Sequence, residues 1–310
     1  GFFLRSRINL KEFIVIKNIL AILCGIAFSM STAHAKPFVF ACEPEWEFIA
    51  KEIGGDQIRT VSATHGLQNP HFIRVKPSLM SKIKKADLLI CSGADLEVGW
   101  LPLLLRNGNK SIQAGQIGHL LVSDYVDNIE IPEVLDRSMG DIHPGGNPHI
   151  HLDPEIISKT ASMVASRLSL IDPENRQIYV KNLDSFESNW RSAMARWKTA
   201  GESLAGKRVV VHHKSFSYLL NFLEIETLTS LEDKAGIPPS ARHLSEIVTL
   251  IEGSSAIAII RTPFDPKSAG DWVSDKTGIP VVTLPFTVGG SPEATDLYKV
   301  YDASIQLLSQ

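Results

Sequence analysis

The stretch from Asp172-Pro173 to Gly201 constrains the fold more than any other part of the chain. Asp before Pro reads as a helix start, because the carboxylate accepts orphan N–H groups and proline suits the first helical position. From there Tyr179, Leu183, Phe186, Trp190, Met194 and Trp197 recur every three or four residues, a single apolar stripe along one helix. A continuous helix over 173–201 would run roughly 43 Å at about 1.5 Å per residue. A rod of that length can brace two lobes. An aromatic stripe at this spacing is read as core rather than as a cofactor box.

On both sides of the rod, strand-like and helix-like segments alternate. Before it, strands are expected at Pro37–Cys42, Ile58–Ala63, Ala86–Cys91 and Ser111–Ala114. Helical stretches lie at Trp46–Ile53, from a Ser78 cap to Lys85, and at Leu96–Leu105. After Gly206 the pattern restarts, with strands at Arg208–His212, Glu226–Ser230, Ala256–Arg261 and Val281–Leu284 between helical stretches, the last of them Ala294–Leu308. Such alternation argues for parallel sheets with covered faces. The expected fold class is therefore α/β, two lobes each with a mostly parallel sheet flanked by helices, bridged by a long rigid helix. A length of 310 residues suits two lobes better than one core. The expected divisions are an N-terminal lobe over 36–152, connecting helices over 153–202 and a C-terminal lobe over 203–310.

Residues 1–35 are set apart from this pattern. Arg5, Arg7, Lys11 and Lys17 form a basic leader, Ile19 to Met30 is an apolar run too short to span a bilayer comfortably, and Ala33-His34-Ala35 is a small-x-small cleavage site. The leader reads as a cleavable signal peptide with cleavage after Ala35, which sends the chain to the periplasm. It holds four of the 31 basic and one of the 34 acidic side chains, leaving 27 against 33, a formal net of −6. That balance favours neither nucleic acid nor an anionic membrane. Cys42 and Cys91 remain, each ending a strand-like run; an oxidising compartment permits a disulfide, and two buried thiols are an equal alternative.

The chemistry gathers around Asn147-Pro148-His149-Ile150-His151-Leu152-Asp153-Pro154. Asp153-Pro154 is a second helix start, and a loop pinned by a following helix can hold an imidazole still, as a metal ligand requires. His71 stands at a comparable joint after the second strand, and His213 directly after the first strand of the second half. In open α/β sheets ligands sit beyond the carboxyl ends of the strands, so all three rings can face the crevice between lobes.

These segments resemble the solute-binding proteins of zinc and manganese ABC importers. The likeness runs in order through Asn69-Pro70-His71, Pro77-Ser78, Ala86-Asp87-Leu88-Leu89, Gly93-Ala94-Asp95-Leu96-Glu97, the Asn147–Pro154 stretch, His213-Lys214-Ser215-Phe216-Ser217-Tyr218 and Ile237-Pro238-Pro239-Ser240-Ala241. The resemblance implies two lobes holding a metal between them, with ligands at His71, His149 and His213. It places His151 where the family usually has an aromatic residue, outside the ligand set. His212 belongs to the strand and should point away from its neighbour, while His65 and His143 read as solvated loop histidines. Where many family members supply a carboxylate after the last strand, this chain has Pro285. The fourth ligand is left open among Glu293, Asp296 and water.

Three neutral imidazoles with at most one carboxylate suit tetrahedral Zn²⁺, with Mn²⁺ second because it prefers more oxygen ligands. Affinity is expected to fall as pH drops through the histidine range. The implied function is a monomeric, non-enzymatic receptor that captures Zn²⁺ and delivers it to an ABC permease in the inner membrane. Three histidines and an open water position also describe a zinc hydrolase, but the chain has no His-Glu-x-x-His, Gly-x-Ser-x-Gly or Cys-His nucleophile pattern. An adhesin or a siderophore binder on the same scaffold is a third reading.

Overall fold

The computed structural model describes residues 35–136, 140 and 142–310. The expected signal peptide, apart from Ala35, lies outside them. The first half runs β1 (Phe38–Ala41), α1 (Pro44–Gly54), β2 (Arg59–Ser62), α2 (Pro77–Ile83), β3 (Leu88–Cys91), α3 (Leu101–Leu105) and β4 (His119–Leu121). Then come α4 (Pro154–Ile171) and α5 (Arg176–Gly201). The second half runs β5 (Arg208–Val211), α6 (Ser217–Phe222), β6 (Glu226–Ser230), α7 (Ala241–Ile251), β7 (Ala256–Arg261), α8 (Lys267–Thr277), β8 (Val281–Thr283) and α9 (Leu297–Leu308).

The two sheets have the same topology. Their strand orders are β2-β1-β3-β4 and β6-β5-β7-β8, with every pairing parallel. In each, the first strand lies inside and its chain turns outward to opposite sides, which opens a crevice at the carboxyl ends. All four residues of β3, Leu-Leu-Ile-Cys, are buried, as a strand covered on both faces requires. The alternating halves read from sequence are thus two α/β sheets flanked by helices, with a long helix between them.

That helix, α5, begins at Arg176, after a 3₁₀ turn over Pro173–Asn175. Its 26 residues span roughly 39 Å. Asp172 does not cap it through its side chain; its carboxylate instead accepts from the Tyr179 hydroxyl at 2.6 Å and from Asn175 Nδ2 at 2.8 Å. The aromatic stripe is core. Trp190 and Trp197 are buried and pack on Tyr301 of α9, the second of them stacked at 4.5 Å between ring centres. Each indole N–H finds an oxygen, Pro154 O and Asp302 Oδ1, both at 2.8 Å. Asn182 of the same helix donates to Ile53 O at the end of α1, so α5 touches elements of both halves.

Three local expectations are corrected. The fourth strand is His119–Leu121, paired with β3, not Ser111–Ala114. Asn109 accepts from the Ser111 N–H and winds Lys110–Ile112 into a 3₁₀ turn instead. Ser78 lies inside α2, which starts at Pro77 without a side-chain cap. The helix expected from Leu96 begins only at Leu101, because Gly93, Ala94 and Asp95 all take positive φ, 80°, 47° and 63°. Cys42 and Cys91, at the ends of neighbouring strands with Cα atoms 4.8 Å apart, form a disulfide. Among the described residues no helix is long and apolar enough to cross a membrane.

Candidate metal centre

The sequence Asn-Pro-His occurs twice, and both copies fold the same way. In Asn69-Pro70-His71 the Asn Oδ1 accepts from the His71 backbone N–H at 3.0 Å and from its ring Nδ1 at 2.8 Å. In Asn147-Pro148-His149 the corresponding distances are 3.0 and 2.8 Å. The backbone N–H can only donate, so the amide atom it meets is the oxygen, and the ring nitrogen on that same oxygen must carry a proton. Each Asn therefore fixes its histidine as the Nδ1–H tautomer and leaves Nε2 with a bare lone pair. Asn147 is itself anchored, donating from Nδ2 to Glu130 Oε2 and to Lys214 O, both at 2.8 Å.

His213 reaches the same state differently. It follows β5, and its Nδ1 donates to Glu232 Oε2 at 2.7 Å. Glu232 follows β6, and the same oxygen accepts from Gly236 N at 2.9 Å. Burial works against the Glu232 charge, yet the hydrogen bonds from His213 and Gly236 hold its carboxyl below the usual range. Orienting a metal-ligating imidazole through its other nitrogen is the standard outer partnership in metal sites.

The structure brings His71, His149 and His213 together, with one ligand atom from each within 4.8 Å of the others. Their ring centres are 5.5, 5.5 and 6.1 Å apart. A tetrahedral Zn²⁺ at about 2.0–2.1 Å from each nitrogen needs roughly 3.4 Å between nitrogens, so a modest contraction completes the set. A cavity of about 40 Å³ lined by these three rings, Ser215, Glu232 and Asp265 lies between them, about the size of one ion or water. Phe286 packs edge-on to His149 at 5.5 Å and dries that side. Burial, and after it the neighbouring His143 and His213, holds the His71 imidazolium down to about 3. Burial and then the surrounding rings hold His149 well below the ordinary imidazole range. Both rings are thus kept neutral, and for these two the proton competition expected across the ordinary histidine range moves to lower pH.

The other candidates fall elsewhere. His151 is buried with its Nε2 on Phe286 O at 2.9 Å and its Nδ1 3.3 Å from Glu45 Oε1, outside the converging set. His212 is buried, with Nε2 3.8 Å from Glu232 Oε1. His65 is exposed. Glu293 is exposed, and Asp296 caps α9 by accepting from Lys299 N, so neither carboxylate joins the histidines. Glu232 was not singled out from sequence; its only signal was a position just past a strand end. His143, read as a solvated loop residue, is half-buried and places its Nε2 3.1 Å from His71 Nε2. A second gathering of donors, Cys42, Cys91 and Glu97, has its thiols joined in the disulfide.

Fold and site together define a two-lobed α/β receptor with a histidine-lined cleft. The chain belongs to the ZnuA family, zinc-uptake complex component A, periplasmic, whose description matches residues 39–310. It is 27% identical over 276 residues to the high-affinity zinc uptake system protein ZnuA of Yersinia pestis, covering 85% of each chain. It is 29% identical over 277 residues to the manganese ABC transporter substrate-binding lipoprotein PsaA of Streptococcus pneumoniae, covering 87% of this chain and 86% of the relative. A crystal structure of ZnuA superposes with a TM-score of 0.74 at 20% identity, over 88% of this chain and 97% of that one. The family comprises metal-binding components of ABC importers, which work with a membrane permease and an ATPase, and the hydrolase reading falls with that membership.

Proposed function

We propose that this chain captures Zn²⁺ between its lobes through His71, His149 and His213 and delivers it to an ABC permease in the inner membrane. The observation that carries the reading is the convergence of three imidazoles, each with Nδ1 on an oxygen acceptor and Nε2 left to bond a cation. A neutral nitrogen donor set suits Zn²⁺ and leaves Mn²⁺ second, since Mn²⁺ is better served by oxygen. The named relatives include zinc and manganese proteins, and the donor chemistry sets the order between them. Within this reading, residues 1–35 are a signal peptide cleaved after Ala35, and the mature chain acts as a periplasmic monomer. Its N-terminal lobe is 36–152, its connecting helices 153–202 and its C-terminal lobe 203–310.

Metal analysis of the purified mature chain, with competition against a zinc chelator, tests the assignment. One tightly held Zn²⁺ per chain and weaker Mn²⁺ support it. A protein that withdraws no Zn²⁺ from the chelator, or holds Mn²⁺ more tightly, refutes it.

A further inference from the structure

The second sheet carries a cavity that the three imidazoles do not line. In the order β6-β5-β7-β8, β6 lies on one side of β5 and β7 on the other, so the crevice of that sheet opens at the carboxyl ends of β5 and β7. A cavity of about 560 Å³ lies there. His212 at the end of β5, Glu232 beyond β6, and Phe264 and Asp265 beyond β7 line it, with Leu244 of α7 and Trp272 of α8. From the first half, Asn69 and Phe72 close one edge. It adjoins the 40 Å³ space between the three rings, because Asn69, Glu232 and Asp265 line both.

The walls are specific in their chemistry. His212 is 2% exposed, yet neither of its ring nitrogens has a hydrogen-bond partner among the described residues. Nδ1 is buried and unpaired, and Nε2 stops 3.8 Å from Glu232 Oε1. Buried polar groups are nearly always paired, so two unpaired nitrogens beside an open space call for a ligand. No Lys or Arg lines the cavity; its carboxylates, Glu232 and Asp265, suit an amine. Helix α8 starts behind Pro266 with no side-chain cap, and its first-turn residues Ser268 and Ala269 are part of the wall. Their uncapped end of the helix suits a carboxylate. Phe72 and Trp272, 69% and 37% exposed, offer aromatic faces to an apolar or π-bearing body. The volume falls within the roughly 300–1,000 Å³ of small-molecule sites. An amine, a carboxylate and a side chain are the parts of an amino acid.

We propose that this cavity holds an α-amino acid that arrives as the chelator of the zinc, so that the cleft takes a zinc–amino-acid complex rather than the bare ion. The inference rests on the metal-binding reading above and names the form of its substrate. Three imidazoles leave one of the four zinc positions open. Across the wall shared by the two cavities, a donor atom of the amino acid fills that position. Asn69 and Glu232 orient His71 and His213, so an occupant resting on them also steadies two ligands.

L-histidine is the probe, since its amine and imidazole both bind zinc. Calorimetry of L-histidine into the zinc-loaded protein, with X-ray absorption of the product at the zinc edge, is compared among wild type, Ser245→Trp and Trp272→Ala. Ser245 is an exposed residue of α7 on the cavity wall, so tryptophan there fills the space without entering the core. The expected result is one L-histidine per chain with the zinc retained, and a nitrogen replacing an oxygen at the fourth position. Both variants should lose at least about 10-fold in L-histidine affinity, the scale of one lost aromatic contact. Their affinity for zinc alone should stay within about 3-fold of wild type, as for surface substitutions. L-histidine that does not bind the loaded protein, that strips its zinc, or that binds both variants as well as wild type overturns the inference and leaves the cleft assignment standing. If wild type binds no Zn²⁺, the cleft assignment fails and this inference with it.

Discussion

Removing the Glu232 carboxylate tests how much the protein contributes to its own ligands. The His213 Nδ1 to Glu232 Oε2 hydrogen bond is 2.7 Å long, and the two side chains are only 17% and 13% exposed, so solvent screens it little. When Nε2 bonds a cation the ring becomes more acidic, and its Nδ1–H strengthens toward a charge-assisted donor. Such bonds contribute about 1.5–3 kcal/mol. At about 1.36 kcal/mol per tenfold, that is a loss of about 10- to 150-fold in zinc affinity for Glu232→Ala. Glu232→Gln retains an acceptor oxygen without the charge and should fall between this variant and wild type. Asn69 does the same job for His71 as a neutral acceptor, worth about 1 kcal/mol, so Asn69→Ala should cost only about 5-fold. Chelator competition at fixed pH and salt reads all three. Glu232 variants that both stay within about 2-fold of wild type, or an Asn69→Ala that costs more than Glu232→Ala, would refute this role of the carboxylate.

Alanine at His71, His149 or His213 should each cost more than about 100-fold in zinc affinity by the same titration, and an unaffected variant removes its residue from the ligand set. Glu43 is fully buried, and burial, with Glu97 and Glu45 beside it, raises its pKa well above the ordinary range. A raised folded-state pKa stabilises fully below the unfolded value and is lost as pH rises through the folded one. With Glu97 pushed up to about 7 by the same burial, the thermal midpoint of metal-free Glu43→Gln should exceed wild type above about pH 7 and approach it below about 4.5. A constant difference across that window would falsify the shared burial cost. Reducing the Cys42–Cys91 bond, which closes a separation of 49 residues, should cost about 4 kcal/mol in denaturant unfolding on the chain-entropy account. A double serine variant as stable as the oxidised protein would contradict that.

The parts legible in the sequence were those set by local rules. Asp153-Pro154 reads as a helix start and is one, with Asp153 Oδ1 accepting from Glu155 N and Ile156 N. The stripe from Tyr179 to Trp197 reads as core because its period is helical, and burial follows the period. Strand order, by contrast, depends on which apolar run finds a partner. The Ser111–Ala114 segment lost to the three-residue His119–Leu121 because Asn109 offered its backbone a competing turn. His143 and Glu232 were illegible for a related reason. They approach the cleft through contacts with residues 72 and 19 positions away, and the one local mark is Glu232's place just past a strand end.

The two Asn-Pro-His clamps have a consequence for how loading is coupled to the surroundings. Their acceptor oxygens fix the tautomer of His71 and His149 while burial keeps both rings neutral, so the nitrogens of these two rings that meet the ion have no proton to shed. Uptake by these two rings is then close to proton-silent near neutrality. Heats of binding measured in buffers of different ionisation enthalpy should nearly coincide. Two of the three ligand rings are in this way spared competition from protons during modest acidification of the medium.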